Sequence, residues 1–258
     1  MTHLFKIISI FFISFNCFTQ SNSETIKNSF KTAIINQDIS QQKKLSKKII
    51  TLYSTNTLFY YQLLLNTTAK NAIIITNGID DTYPLIALQQ TKNINPYTKI
   101  ISLSLLKNKT YLAYIQSEFS IKLSEDETYN IKQFLKYKAQ NVYVSTTVNP
   151  KYYKSFSSTL FLNGLTLNKS SSQQINKLNN VWIKIKNIIY KINLSDNEKL
   201  LYQNFLPPLL TLYKLNLENQ QFDNSSLKKD ILELANKVNN TQNNMKQKVK
   251  QILIRYDR

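Results

Sequence analysis

The chain has 258 residues, with 33 Lys and Arg against 15 Asp and Glu, and its formal charge of +18 favours polyanions or acidic headgroups as partners. Lys and Asn are both frequent while Gly and Arg are rare, so biased composition alone also accounts for that excess. The one His (His3) and the one Cys (Cys17) both stand before residue 20, which excludes from the rest of the chain a Ser-His-Asp or Cys-His nucleophile, a His/Cys zinc site, the usual haem ligands and a disulfide.

The first element is an apolar run, Ile7 to Phe15, behind a single cation, Lys6. It is too short to span a bilayer, which needs a helix of about 20 residues, and it reads as a secretory signal peptide. Cys17 and Thr19 are small residues two apart, which places cleavage after Thr19. The rival reading lipidates Cys17, although Phe15 and Asn16 are bulky where a lipobox wants small residues. Lys6 is the only formal charge removed, so the processed chain keeps +17. The expected location is the periplasm or the medium. No later stretch reaches membrane-spanning length without charges, so no transmembrane span is expected in the mature chain.

Two amphipathic helices are expected over 24–65, because Ile26, Phe30, Ala33 and Ile34, then Leu45, Ile49, Leu52 and Tyr53, repeat at helical spacing. From residue 71 the period changes. Ala72 to Thr76, Lys99 to Ser104 and Asn141 to Thr147 are β-rich runs, with helical segments expected at 82–91, 109–118 and 125–138. Ser124-Glu-Asp-Glu127 reads as a capping box opening the last of these. Strands alternating with helices predict crossovers and a mostly parallel sheet. Gly164 then opens Leu165-Thr-Leu167, expected as an edge strand.

Beyond Ser170 to Gln174 the chain returns to helix, with Leu178, Trp182, Ile185, Ile189 and Ile192 on one face. Ser195-Asp-Asn-Glu198 is a second capping box, and Pro207-Pro208 forces a break or a new first turn. Leu227, Ile231, Leu234, Ala235 and Val238 form one further stripe, and Met245, Val249, Ile252 and Tyr256 a last. The fold class is therefore α/β: a small, mostly parallel, Rossmann-like sheet flanked by N- and C-terminal helical hairpins. The divisions are a signal peptide (1–19), an N-terminal helical hairpin (20–66), an α/β domain (67–170) and a C-terminal helical region (171–258).

In a parallel sheet, ligand groups gather at the C-terminal strand ends. Here these offer Asn77, Gly78, Asp80, Asp81, Thr82 and Tyr83 after the first strand, Ser104 after the second, and Thr146 with Thr147 after the third. Gly78 is one of only two glycines, which suggests a turn requiring positive φ or a close backbone approach. Asp80 and Asp81 suit a hydroxylated ligand or a divalent cation through their oxygens. A simpler role has Asp81 capping the helix that Thr82, Tyr83 and Pro84 begin. No catalytic residue, metal ligand or cofactor is assigned.

The stretch Asn71-Ala-Ile-Ile-Ile-Thr-Asn-Gly-Ile-Asp-Asp-Thr-Tyr-Pro-Leu85 resembles the N-A-I-L-F-T-N-G-D-N-D-T-[FY]-P-L-W signature in the soluble extracytoplasmic part of large bacterial membrane proteins related to protein O-mannosyltransferases. Ser102-Leu-Ser-Leu-Leu106 is similar to that family's N-x-S-L-L strand. Asn141 to Val148 and Leu162-Asn-Gly-Leu165 are similar to its V-Y-F-A-x-T-V and E-G-L elements, in the same order over about residues 58 to 168. Ile79 replaces the family's first Asp, Asp80 its Asn and Ile86 its Trp, and a Trp-Tyr pair is reduced to Thr110-Tyr111. The resemblance implies the fold of an appended envelope domain. It does not carry over mannosyl transfer, because the chain lacks the membrane helices that house the lipid-linked donor and the catalytic acid.

The expected function is thus a non-catalytic envelope protein that binds a protein or glycan partner and assists surface glycosylation. A second reading is a hydrolase or transferase using Asp80 and Asp81, and a third is a basic scaffold on an anionic envelope surface. Nucleic acid is not expected as a partner, since export argues against it and the lysines form no dense stripe.

Overall fold

The computed structural model describes residues 22–169, 175–219, 224–239 and 244–257. The expected signal segment, with Lys6, Cys17 and the Thr19 cleavage site, lies outside them. The described residues begin with three helices rather than the two expected over 24–65: α1 (22–35), α2 (Ile39–Ile49) and α3 (Thr55–Thr67). The apolar spacing through Leu52 and Tyr53 continues into a 3-10 turn, after which Tyr53 is extended at ψ 143°. Ser54 then accepts a hydrogen bond from Thr57 N–H at 3.1 Å and starts α3 as its N-cap.

Three short strands, β1 (Ile73–Thr76), β2 (Lys99–Ser102) and β3 (Val142–Ser145), run parallel, with Ile73 opposite both Lys99 and Val142. Helix α4 (Ile79–Lys92) connects β1 to β2, and α5 (Lys109–Phe119) with α6 (Glu127–Lys136) connects β2 to β3. In a chain with two glycines, the left-handed helix ends fall to other residues. Asn93 (φ +52°) closes α4 and Ser120 (φ +51°) closes α5. The cap of α6 is Asp126, accepting from Tyr129 N–H at 2.7 Å, and not the expected Ser124. Ser124 Oγ instead accepts from Asp126 N–H, and Glu127 pairs with Lys107 at 2.9 Å.

Two antiparallel strands complete the sheet, β4 (Phe161–Asn163) and β5 (Thr166–Asn168), in the order β2-β1-β3-β5-β4. The sheet is therefore mixed, with a parallel half, and the α/β class holds without being Rossmann-like throughout. The segment expected as an edge strand lies inside, between β3 and β4. The hairpin responsible turns at Gly164, where φ is +64° and an added Cβ would sit 2.6 Å from Thr67 Cβ. This is the glycine that the fold requires. Gly78, expected to need positive φ, is extended at φ −154°, and a Cβ there would meet nothing closer than Ser104 Oγ at 3.6 Å.

Both faces of β1 are covered, which is why it reads as an unbroken apolar run. Alternate residues divide between two cores. Ile74 and Tyr143 join Leu64 of α3 and the C-terminal helices α7 (Ile175–Lys186), α8 (Asp196–Tyr202), α9 (Leu206–Asn219), α10 (Ser225–Lys237) and α11 (Met245–Tyr256). Ile73, Ile75 and Val144 join Phe30, Ile49, Ile115 and Phe134 on the other side. Pro207 and Pro208 stand in the first turn of α9, where a missing N–H costs nothing. The stripe Leu227, Ile231, Leu234, Ala235 and Val238 is fully buried. Of the last stripe Val249 is buried and Met245, Ile252 and Tyr256 pack partly against the core, while Leu253, outside the expected stripe, is buried as well. No helix among the described residues is long and apolar enough to cross a membrane.

Candidate functional site

Strand β1 hands the chain to β2 on one side, and the next crossover returns it to β3 on the other. The carboxyl ends of β1 and β3 are thus a switch point, where two connections diverge and leave a crevice. A cleft of about 880 Å³ opens there. Asn77, Gly78, Asp80 and Asp81 form one wall, with Thr146 and Thr147 at the end of β3. Tyr53, Ser54 and Tyr61 stand at and near the start of α3, Lys27 of α1 is adjacent, and Ser195, Glu198 and Asn204 close the far side.

Asp81 organises the floor. It is not the helix cap: Gly78 occupies that position and has no side chain to offer. Asp81 lies in the first turn, where a negative charge suits the helix N-terminus, and its carboxylate reaches back to accept from the Asn77 N–H. It also accepts from the Thr147 hydroxyl and from Tyr61 Oη at 2.6 Å. Burial raises Asp81 above the usual carboxylate range, against the pull of these three donors, and the neighbouring Asp80 adds to the rise. Tyr61 is 3% exposed and its hydroxyl is pushed up by burial and by Asp81. Asp80, one residue earlier, is exposed at the mouth of the cleft.

The third strand contributes hydroxyls. Thr146 Oγ1 donates to Leu165 O at 3.0 Å and meets the Tyr60 hydroxyl at 3.0 Å, while Thr147 Oγ1 meets Ser145 Oγ at 2.7 Å. On the far side Glu198 is buried and accepts from Ser54 Oγ at 2.6 Å and from the Ser195 N–H and hydroxyl at 2.7 Å each. This is the expected capping box of Ser195 and Glu198, and it also ties α8 to the start of α3. Burial works to raise the Glu198 carboxyl, but the hydrogen bonds from Ser54 and Ser195 outweigh it and hold the group below its usual range.

Six of the nine residues expected at the site line the cleft: Asn77, Gly78, Asp80, Asp81, Thr146 and Thr147. Thr82 and Tyr83 do not. Thr82 is fully buried, with its hydroxyl between Thr76 Oγ1 and Gly78 O, both at 2.7 Å, and Tyr83 is 1% exposed and packs edge-on against Phe30. Ser104 is exposed beside the cleft and meets Ser102 Oγ at 3.1 Å. Sequence reasoning missed Tyr53, Tyr61, Ser54 and Glu198. Tyr53 reads as a member of an apolar stripe, Tyr61 falls unmarked within the helical span 24–65, and Glu198 reads as part of a cap. The hydroxyl of Tyr53 is buried without a hydrogen-bond partner among the described residues, and burial with the nearby Asp80 pushes it well above the usual phenol range.

No curated protein and no solved structure matches the chain. A family model described as TMEM260-associated domain 2 matches residues 60–255, a span that runs from α3 through the whole sheet to the last turn of α11. That span holds Tyr61, Asp80, Asp81, Thr146, Thr147 and Glu198, and the chain belongs to the TMEM260-associated domain 2 family.

Proposed function

We propose that the chain is an exported, non-catalytic binding protein that takes a glycan or protein partner at the switch-point cleft and assists surface glycosylation. The observation that carries the reading is the lining of that cleft: the exposed carboxylate of Asp80, the amides of Asn77 and Asn204, and the hydroxyls of Ser54 and Thr57. Such groups suit a polyhydroxylated ligand, which both donates and accepts. The cleft gathers Asp80, Asp81 and Glu198 against Lys27 alone in an otherwise basic chain. That balance favours neutral or cationic ligands over phosphates. Membership in a domain family associated with TMEM260, itself related to protein O-mannosyltransferases, supports a place beside glycan transfer.

The non-catalytic reading rests on Asp80 and Asp81 being consecutive in one helical turn, so they cannot flank a scissile bond from opposite faces. One observation favours the enzyme reading. Asp81 is raised and Glu198, on the facing wall, is lowered, and such divergence is how paired carboxylates divide acid and base roles. The test is a glycan array probed with residues 20–258, followed by product analysis of the ligands retained. Saturable retention of intact glycan that weakens in Asp80→Ala supports the proposal; hydrolysed or transferred sugar overturns it in favour of the enzyme.

A further inference from the structure

A second concavity of about 310 Å³ lies between α7 and α9 and shares no residue with the switch-point cleft. Along α7 its wall reads Asn176, Asn179, Ile183 and Lys186, a stripe at helical spacing, and α9 supplies Leu212 and Asn216. Asn216 is 7% exposed, and its amide meets no hydrogen-bond partner among the described residues. Its polar atoms keep access to solvent through the groove they line, which leaves the amide free to bond a ligand there. Trp182 also lines it and is held in place, its indole N–H donating to the buried Asp230 at 2.8 Å, while Asp230 accepts a second bond from Tyr190 Oη at 2.7 Å. Ile183 is 41% exposed and lines the groove beside Trp182.

We propose that this groove binds a short extended peptide carrying an apolar side chain followed by a carboxylate. An Asn side chain offers one acceptor and two donors, the complement of a peptide unit, and three such amides stand along the groove. From Asn176 to Lys186 the helix rises about 15 Å, the span of about four or five extended residues. Ile183 and Leu212 give an apolar side chain a place between the amides, and the Lys186 ammonium at the end of the stripe suits the acid. Lys186 stands 5.0 Å from the Trp182 ring centre, so it occupies the ring face on which a sugar would stack. That contact favours peptide over glycan here.

Trp182 is the only tryptophan, so its fluorescence reads the groove directly. The probe is the capped tetrapeptide acetyl-Ala-Leu-Ala-Asp-amide, titrated into the whole chain. A saturable change in Trp182 emission is expected, with affinity about tenfold lower in Asn216→Leu, which keeps the buried volume and removes the amide, and lower again in Lys186→Gln. Replacing the probe's Asp by Asn should weaken binding to wild type and leave Lys186→Gln unchanged. Circular dichroism shows whether each variant is folded, and Asn216→Ser repeats the measurement if Asn216→Leu is not. Absence of a saturable change, equal affinity in the folded Asn216 variant, or saturation by a disaccharide panel in place of the peptide overturns the proposal. None of these outcomes bears on the switch-point cleft.

Discussion

At the scale of single residues, the positive φ expected at Gly78 is found at Gly164 instead. Gly164→Ala must place a Cβ 2.6 Å from that of Thr67 on a left-handed backbone, and it is expected to cost about 1 to 3 kcal/mol. Gly78→Ala meets only an ordinary contact with Ser104 on extended backbone and should change stability by less than about 0.5 kcal/mol. Chemical denaturation of both variants checks the contrast. Sequence showed the rarity of glycine but not which turn required it, because the clash involves Thr67, 97 positions away in the chain. Asp81 makes a second residue-scale case. Its folded pKa is raised, so the stability it contributes is full below its ordinary value and is lost as pH rises through the raised one. Thermal melts of Asp81→Asn at pH 7 should therefore equal or exceed wild type, with the difference closing below about pH 4. A large loss at pH 7 would show that the three donors outweigh burial.

At the scale of elements, the link between α3 and α8 is the joint that closes the cleft. Ser54 caps α3 through Thr57 N–H and donates to Glu198, which caps α8 through Ser195. Ser54→Ala should cost about 1 to 2 kcal/mol, since it removes a cap and leaves a buried carboxylate short of a donor. Glu198→Gln should cost about 1 kcal/mol at neutral pH. The sign is opposite to that of Asp81: the folded pKa of Glu198 is depressed, so its contribution is present above the ordinary value and lost as pH falls through the folded one. The Glu198→Gln penalty should thus vanish in acid, as pH-dependent melts would show. Elements were more legible than joints. The three parallel strands and the capping box at Ser195 followed from local pattern, as did the Leu227 stripe. The break at Ser54, the cap at Asp126 and strand β4 did not. Each depends on a contact or a turn that periodicity does not register, since Leu52 and Tyr53 keep helical spacing while the backbone leaves the helix.

At the scale of the whole molecule, the sheet divides two cores and leaves one crevice where its connections diverge. The charge is distributed to match. Helix α2 presents Lys43, Lys44, Lys47 and Lys48 to solvent opposite the buried Gln42, Ser46 and Ile49, whereas the cleft collects carboxylates. Position at the strand ends was readable because parallel topology dictates it. The far wall was not, because Glu198 arrives from 117 residues beyond Asp81 by a route that only packing of α8 against α3 sets. The decisive property of the cleft is therefore whether it holds a ligand without transforming it. The most direct measurement is a calorimetric titration with the glycan retained most strongly on the array, with the mixture then analysed by nuclear magnetic resonance. Saturation, recovery of intact glycan, and about tenfold weaker binding in Asp80→Ala at unchanged melting temperature are expected. Cleaved or transferred glycan, or undiminished affinity in Asp80→Ala, would contradict the proposed binding role.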